Sequence, residues 1–412
     1  MLLAGGVALF ASSCGAGPGS TNAAASALAS TGGADPAALA DAKKFAACMR
    51  DRGITDWPEP TVDPGGGISL GTSAQSGSKV TAARDACQHL LGPAKPNGAP
   101  HSDRDDAAAA GWVTKTPGGG CECADGSKYS FYLRTGDPKK VVLFLDGGGA
   151  CWSAATCTPS SGNRYQTTIE PPDQGGIFDA GNARNPFAGY SFVYVPYCTA
   201  DLHLGDADTT YAAGLTIHHH GYANGTAALD QLVESFPQAT DVVVIGGSAG
   251  SVSAPLYAGL VADRLPAAHL TSISDSSGSY PDAPPMNRIL TGRAWNAQAL
   301  PADPSMPGLF IATGKRHPHI VFARIDHAQD QDQKLHLRLA GTSSDDVAAL
   351  LRANEAQIEK AGVTLHSYTE PGDDHMVVDN EDFYSEQVAG VALSDWVAGL
   401  AAGRPVADVT AP

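Results

Sequence analysis

The chain has 412 residues, which at about 150 residues per domain allows two or three domains, each with its own core. Its 43% of hydrophobic residues indicates a globular protein, and its 47 Gly and 28 Pro favour a loop-rich fold over a helical bundle. With 26 Lys and Arg against 43 Asp and Glu, the net charge of −17 repels phosphate backbones, so we expect no nucleic-acid partner.

Residues 2–11 form the only long apolar stretch, and about 10 residues are too few to span a bilayer. The stretch is typical of the hydrophobic core of a signal peptide, which we assign to residues 1–13. Small residues precede Cys14 in a pattern that resembles a bacterial lipoprotein cleavage box, so Cys14 is the candidate lipidated residue. The alternative is an ordinary signal peptide with an incidental cysteine. Both predict an extracytoplasmic protein, either secreted or membrane-attached through the lipid alone.

Residues 14–35 are rich in Ala, Ser and Gly and predict a flexible tether. Residues 36–98 follow as a small unit with two helical patterns and a Pro/Gly-rich connection. Two short helices bury little surface, so we expect a Cys48–Cys87 disulfide, contributing about 4 kcal/mol in the chain-entropy model. Export favours paired cysteines, and removing Cys14 leaves seven, so one is expected to stay free or to pair between chains.

From residue 110 to residue 412, short β-rich runs alternate with helical runs, which predicts a layered α/β domain. Strands are expected at residues 140–146, 191–196, 241–246, 269–275, 319–325 and 363–368. Helices are expected at residues 224–235, 251–264, 345–361 and 381–402, where apolar residues recur at spacings of three and four.

The most informative segment runs from a buried strand into Gly246-Gly-Ser248-Ala-Gly250 and then into a helix. This is the context of a nucleophile elbow, where only small residues fit around a serine at the tip of a sharp turn. The alternative is a Gly-rich turn that binds an anion at the helix N-terminus. A second Gly-x-Ser-x-Gly sequence, at residues 67–71, has no predicted strand before it, so we do not expect a nucleophile there.

A serine nucleophile requires backbone N–H groups that bind the developing oxyanion. The glycine run after the strand at residues 140–146 offers Gly148 and Gly149, and Ala249 directly follows the candidate nucleophile. We therefore predict an oxyanion hole formed by these three N–H groups. The alternative for the glycine run is a purely structural turn.

The general base and its carboxylate are expected after Ser248 in the order Asp or Glu, then His. His375 lies in a loop between the last predicted strand and the last helix, where it can reach the nucleophile, whereas His366 lies within a predicted strand. Asp326 follows the strand at residues 319–325 and is the candidate orienting carboxylate. Four other acidic residues compete with it: Asp330, Asp332, Asp373 and Asp374.

Seven ordered blocks resemble the pectin acetylesterase/Notum carboxylesterase family over roughly residues 112–400. The blocks are Cys123-Ala-Asp-Gly-Ser, Leu145-Asp-Gly-Gly-Gly-Ala-Cys151, Pro196-Tyr-Cys198-Thr-Ala-Asp, Gly205-Asp206, His220-Gly-Tyr-Ala-Asn224, Gly246-Gly-Ser-Ala-Gly250 and Asp326-His-Ala-Gln329. The resemblance implies an α/β-hydrolase-like, mostly parallel sheet flanked by helices. It also implies ester hydrolysis without a cofactor, through Ser248, Asp326 and His375.

The resemblance further implies two disulfides, Cys123–Cys198 and Cys151–Cys157, which leave Cys121 without a partner. Many family members carry Trp where this chain has Ala150, which implies a different wall of the acyl pocket.

Together these features predict a serine carboxylesterase that acts on an acyl ester, with acetyl and longer acyl groups both open, on a glycan or another carrier. A metal site was considered at residues 201–208 and 218–220, and no metal is expected there, because consecutive histidines point in different directions. The alternative function is a non-catalytic extracellular lipoprotein that binds a glycan or a protein partner. A fluorophosphonate label on Ser248 would separate the two functions.

Overall fold

The computed structural model describes residues 36–62, 68–69, 83, 87, 90, 111–158, 163, 165–302 and 304–410. These residues fall into two compact units, one within residues 36–90 and one within residues 111–410. The expected signal peptide, Cys14 and the tether lie outside the described residues.

The small unit consists of helix α1, Pro36–Asp51, and an antiparallel pair of two-residue strands, β1 at Thr61–Val62 and β2 at Ile68–Ser69. The Cys48–Cys87 disulfide is present, with a Cα–Cα distance of 5.8 Å. It closes a core of seven residues: Phe45, Ala46, Met49, Ile54, Trp57, Ala83 and Cys87. Most of the second expected helix lies outside the described residues.

The large unit is built on a nine-stranded sheet with the strand order β15-β12-β11-β10-β9-β5-β6-β4-β3. All neighbours from β15 to β6 are parallel, and the last two pairs are antiparallel. The strands are β3 Val113–Lys115, β4 Phe131–Arg134, β5 Asp137–Leu145, β6 Tyr190–Val195, β9 Asp241–Gly247, β10 His269–Asp275, β11 Val321–His327, β12 Leu365–Glu370 and β15 Val409–Thr410. Outside this sheet are the β7–β8 hairpin, Ala207–Ala212 with Leu215–His219, and the β13–β14 pair, Gln387–Val388 with Val391–Ala392.

Helices pack on both faces of the sheet because alternate residues of its buried strands point to opposite sides. In β5, Val141 and Leu143 belong to a core with the helices Gly221–Ser235 and Ala249–Arg264, whereas Val142 and Phe144 belong to a second core with the helix Leu393–Ala401. The helices of this unit are α2 Ala154–Cys157, α3 Gly221–Ser235, α4 Ala249–Arg264, α5 Pro284–Thr291, α6 Met306–Arg316, α7 Gln331–Ala340, α8 Val347–Lys360 and α9 Leu393–Ala401. This is an α/β-hydrolase-like architecture, so the predicted fold class is confirmed. Within the described part of the chain, no helix combines the length and apolar character needed to cross a membrane.

The six expected strands are all present, with ends shifted by at most three residues. The expected helix at residues 381–402 is wrong, because only α9 is an α-helix there. A short 3-10 helix, Glu381–Tyr384, and the β13–β14 turn precede it. The chain reverses at Ala389 and Gly390, which have φ angles of 51° and 80°, and an α-helix cannot contain this conformation.

Two disulfides of the large unit join loops beside the sheet. They are Cys123–Cys198 and Cys151–Cys157, each with a Cα–Cα distance of 5.0 Å, and both match the expected pairings. No described cysteine is free, so the expectation of an unpaired Cys121 is wrong.

Candidate active site

Ser248 lies at the turn between β9 and α4, with a φ of 46° and a ψ of −112°. A non-glycine residue adopts this conformation rarely, and the surrounding turn must hold it there. Its N–H donates to the carbonyl of Asp275 at 2.8 Å. A Cβ at Gly246 would collide with the backbone of Gly250, and one at Gly250 would collide with the carbonyl of Leu145. The two glycines flanking the serine are therefore required for the turn to pass beside β5.

His375 contacts the serine hydroxyl directly. Its Nε2 lies 2.7 Å from Ser248 Oγ, although the two residues are 127 positions apart in sequence. This distance is within the range of a strong hydrogen bond and suits proton transfer between a nucleophile and its base. The structure thus brings together two of the three residues that the sequence singled out as a triad.

The loop that carries His375 is fixed by β10, the strand next to the elbow strand. The N–H groups of Val377 and Val378 donate to Asp275 Oδ2 at 2.8 and 2.9 Å. The N–H of Met376 donates to Ser276 Oγ at 2.9 Å. Because Asp275 is buried and holds two consecutive backbone groups, it sets the position from which the imidazole reaches the serine.

The carboxylate that orients the imidazole is Asp330 and not Asp326. Asp330 Oδ2 lies 2.7 Å from His375 Nδ1, and Asp330 Oδ1 accepts the Gln333 N–H at 2.8 Å as the N-cap of α7. Gln333 Nε2 donates to Asp330 Oδ2 at 3.0 Å as well. Three donors therefore hold this buried carboxylate in place.

Asp326 has a different set of partners. Strand β11 continues to His327, so Asp326 lies within the strand and shares a face with Arg324, two residues before it. Its Oδ2 accepts from Arg324 Nη1 at 3.0 Å, and its Oδ1 accepts from the Gly278 N–H at 2.8 Å. Arg324 also contacts Glu355 of α8 at 2.6 Å. Asp326 is thus part of a buried ion-pair network, and its expected role as the orienting carboxylate is wrong.

The charges around His375 favour its protonated form. Burial lowers the pKa of the imidazole, but the carboxylate of Asp330, together with Asp332, outweighs burial and raises the pKa to about 9. Burial raises the pKa of Asp330, but the charge and hydrogen bond of His375 outweigh this effect and hold that pKa below its usual value. An imidazolium is therefore stabilised next to Ser248.

The candidate oxyanion donors are the N–H groups of Gly148, Gly149 and Ala249. Gly149, Ala249 and Ser248 line one cavity, and Gly148 directly precedes Gly149. Gly148 and Gly149 have φ angles of 151° and 74°, which turn the backbone after β5 toward the elbow. A Cβ at Gly148 would meet the side chains of Gln166 and Tyr197. Among the described residues, none of these three N–H groups donates to a protein acceptor, so they are available to an oxyanion.

A small cavity of about 30 Å³ opens beside Ser248. Gly149, Ala150 and Ala249 form its wall near the hydroxyl. The remaining wall is mainly apolar and includes Leu202, Val252, Met286, Ile289, Trp295 and Met306. An apolar cavity next to a candidate nucleophile is suited to an apolar acyl group.

The residues considered for a metal separate into two groups. Asp201 and His203 are buried and structural. Asp201 accepts hydrogen bonds from the hydroxyl of Thr199 and the N–H groups of residues 203, 205 and 221, and His203 Nε2 contacts the carbonyl of Asp146 at 2.9 Å. Asp208, His218 and His220, in contrast, converge on Glu122 at the surface. Asp330, Asp332 and His375 also lie close enough to share an ion, but they are the residues around the serine.

Two residues of the site escaped the sequence analysis. Asp330 was named only as a competitor, although its position three residues before Gln333 is typical of a helix N-cap, which marks a well-placed carboxylate. Asp275 was not considered. Its signal was its place at the carboxyl end of a parallel strand, the edge at which α/β sheets bind ligands.

Part of this chain is similar to known proteins. Residues 104–296 match the family model Pectinacetylesterase. Palmitoleoyl-protein carboxylesterase NOTUM of Schmidtea mediterranea is 30% identical over 158 residues, which are 35% of this chain and 29% of that protein. Palmitoleoyl-protein carboxylesterase notum2 of Xenopus laevis is 30% identical over 141 residues, which are 31% of this chain and 27% of that protein. The chain thus spans less than a third of the length of these relatives. The part of the chain that is similar to the pectinacetylesterase family, residues 104–296, contains the elbow, the glycine loop and part of the apolar cavity.

Proposed function

We propose that this protein is a serine carboxylesterase that forms an acyl-enzyme on Ser248. One observation carries the proposal. Ser248 Oγ lies 2.7 Å from His375 Nε2, and His375 Nδ1 lies 2.7 Å from Asp330 Oδ2. An apolar cavity and the candidate oxyanion N–H groups lie beside these contacts. The match of residues 104–296 to the pectinacetylesterase family and the similarity to two proteins named carboxylesterases support it.

In the proposed mechanism, Ser248 Oγ attacks the ester carbonyl while His375 Nε2 takes its proton. The Asp330 carboxylate holds the imidazole in the correct tautomer and stabilises the imidazolium. The N–H groups of Gly148, Gly149 and Ala249 bind the oxyanion of the tetrahedral intermediate. His375 then protonates the leaving alcohol, and a water molecule activated by the same imidazole releases the acid.

The apolar lining of the cavity favours an acyl group longer than acetyl. The lining includes Met286, Ile289 and Trp295, so methylenes that enter the cavity are buried against apolar side chains. Burial of each further methylene contributes about 0.8 kcal/mol. Ala150 contributes only a small side chain to this wall. The relatives' name, palmitoleoyl-protein carboxylesterase, is in keeping with an apolar acyl group.

We also propose an extracytoplasmic location. The three disulfides Cys48–Cys87, Cys123–Cys198 and Cys151–Cys157 are typical of proteins from oxidising compartments. The signal peptide at residues 1–13 and the lipid on Cys14 stay predictions, which mass spectrometry of the mature N-terminus would test.

Labelling with a fluorophosphonate tests the proposed nucleophile. We expect stoichiometric modification of the protein and a modified peptide that contains Ser248. Prior incubation with a long-chain acyl ester should protect it. A protein that takes up no label, or takes it up equally on Ser248→Ala, would contradict the acyl-enzyme and favour the non-catalytic alternative.

The activity should depend on pH through His375. Because only the neutral imidazole accepts the serine proton, kcat/KM should rise with pH and level off above the pKa of about 9. The Asp330 carboxylate raises this pKa, so in Asp330→Asn the rise in the residual activity should occur at lower pH. Initial rates of ester hydrolysis, corrected for the buffer rate, measure both profiles. A profile that falls from neutral to alkaline pH would rule out His375 as the base.

Filling the cavity should change the preference for acyl length. In Met286→Trp, kcat/KM for an octanoyl ester should fall by about tenfold or more, because the larger ring occupies acyl space. Hydrolysis of an acetyl ester should change much less. The control Val391→Trp enlarges an exposed residue outside the cavity and should leave both rates unchanged. Equal losses on both esters in Met286→Trp would show that this cavity does not bind the acyl group.

A further inference from the structure

Four side chains meet at the surface beside the β7–β8 hairpin: Glu122, Asp208, His218 and His220. Their ligand atoms all lie within 4.8 Å of one another. Asp208 Oδ1 lies 2.7 Å from His218 Nδ1 and 3.0 Å from His220 Nε2. Glu122 Oε1 lies 3.3 and 3.4 Å from the same two nitrogens. Each imidazole therefore directs one nitrogen at both carboxylates.

The strand pairing produces this convergence. Asp208 of β7 stands directly opposite His218 of β8 in the antiparallel register. His220 follows two residues later and lies on the same side of the chain as His218, so their rings are stacked, with centroids 6.4 Å apart. His219 points to the other side, where its Nδ1 contacts the carbonyl of Thr199 at 2.9 Å. The consecutive residues His218 and His219 point in different directions, as the sequence indicated, but His218 and His220 point in the same direction.

From this arrangement we propose that Glu122, Asp208, His218 and His220 bind one zinc ion, contrary to the expectation of no metal from the sequence. Two imidazoles and two carboxylates are a common donor set for Zn²⁺, which prefers four ligands in a tetrahedron. Ligand bonds of about 2.05 Å give a tetrahedron with edges of about 3.3 Å. The two contacts of Glu122 already match this edge. The two shorter contacts of Asp208, at 2.7 and 3.0 Å, need to open by about 0.6 and 0.3 Å to reach this edge.

The charge balance of the cluster favours a divalent cation. Glu122 and Asp208 hold two carboxylate groups close together, and one Zn²⁺ neutralises their two negative charges. Asp206 adds an outer contact, because its Oδ1 lies 3.5 Å from the second ring nitrogen of His220. A carboxylate in this position is typical of the surroundings of a metal-binding histidine.

The ion would fasten the hairpin to the rest of the large unit. Glu122 lies next to the Cys123–Cys198 disulfide, whereas Asp208 and His218 belong to the hairpin and His220 precedes α3. The hairpin also bonds the segment that carries Trp295 of the acyl cavity, through Thr209 Oγ1 and the carbonyl of Ala294 at 2.6 Å. Zinc at this site is thus structural and stabilises one wall of the cavity from outside.

Titration of the chelator-treated, full-length protein with zinc chloride tests the proposal. Calorimetry should give one high-affinity zinc per chain, and the melting temperature should rise with zinc concentration, since the ion binds the folded state. In the double variant His218→Asn/His220→Asn, high-affinity binding and the thermal shift should both disappear. The control His317→Asn/His319→Asn changes a surface pair with one neighbouring carboxylate, Asp263, and should bind zinc like the parent protein.

X-ray absorption of the zinc complex should show two imidazoles in a four-coordinate shell of nitrogen and oxygen. Two outcomes would overturn the proposal. One is the absence of stoichiometric binding to the parent protein. The other is undiminished zinc binding by the folded double variant, which would indicate that zinc binds Asp330, Asp332 and His375 instead.

Discussion

Ser248→Ala should lower kcat/KM for acyl esters by about 10⁶-fold, which is the loss seen when a triad nucleophile is removed. The reason is local, because the hydroxyl that contacts His375 at 2.7 Å is the only atom of this residue that reacts in the proposed mechanism. Steady-state hydrolysis of an octanoyl ester measures the effect, with active-site titration of the parent enzyme to fix its concentration.

The fold of Ser248→Ala should stay intact, as judged by circular dichroism and melting temperature. Alanine tolerates the positive φ of 46° no better than serine, but the flanking glycines and the bond from the residue 248 N–H to Asp275 are unchanged. Ser253→Ala is a matched control in the same helix, since its hydroxyl donates to the carbonyl of Gly250 and lies outside the cavity. This control should keep activity within a few-fold of the parent. Comparable activity of Ser248→Ala and Ser253→Ala would remove Ser248 from the mechanism.

Asp330→Asn should lower kcat by about 10⁴-fold, because an amide in this place stabilises the wrong imidazole tautomer and no longer stabilises the imidazolium. The 2.7 Å contact with His375 Nδ1 makes this prediction specific to residue 330. The hydrogen bond from the Gln333 N–H can be retained by the amide oxygen, so α7 keeps its N-cap. Single-turnover hydrolysis measures the chemical step apart from substrate binding.

Asp326→Asn separates the two candidate carboxylates. It breaks a buried pair with Arg324, which should lower the free energy of unfolding by about 3 kcal/mol. Its effect on kcat should be far smaller than that of Asp330→Asn, since its carboxylate is bonded to Arg324, Gly278 and Gln333. Denaturant unfolding and kcat should therefore rank the two variants in opposite orders. If Asp326→Asn lost more activity than Asp330→Asn at a temperature where both are folded, Asp326 would be the orienting residue after all.

The sequence by itself determined the parts of this protein that depend on local chain geometry. A buried strand followed by Gly246-x-Ser248-x-Gly250 predicts a tight turn in which only small residues fit around the serine. The collisions that a Cβ would make at Gly246 and Gly250 agree with this prediction. The positions of the strands followed from apolar runs between turn residues. The pairing of Cys48 with Cys87 followed from the small size of its unit.

Tertiary structure alone decided which distant side chains meet. Asp326 and Asp330 are four positions apart, and the choice between them depended on where β11 ends, which sheet pairing sets and no local pattern records. Local patterns also do not record the cluster beside the hairpin. The cross-strand register brings Asp208 opposite His218, and a neighbouring loop brings Glu122 to them. Local propensities act over a few residues, whereas these contacts depend on how strands align and on how loops pack against them.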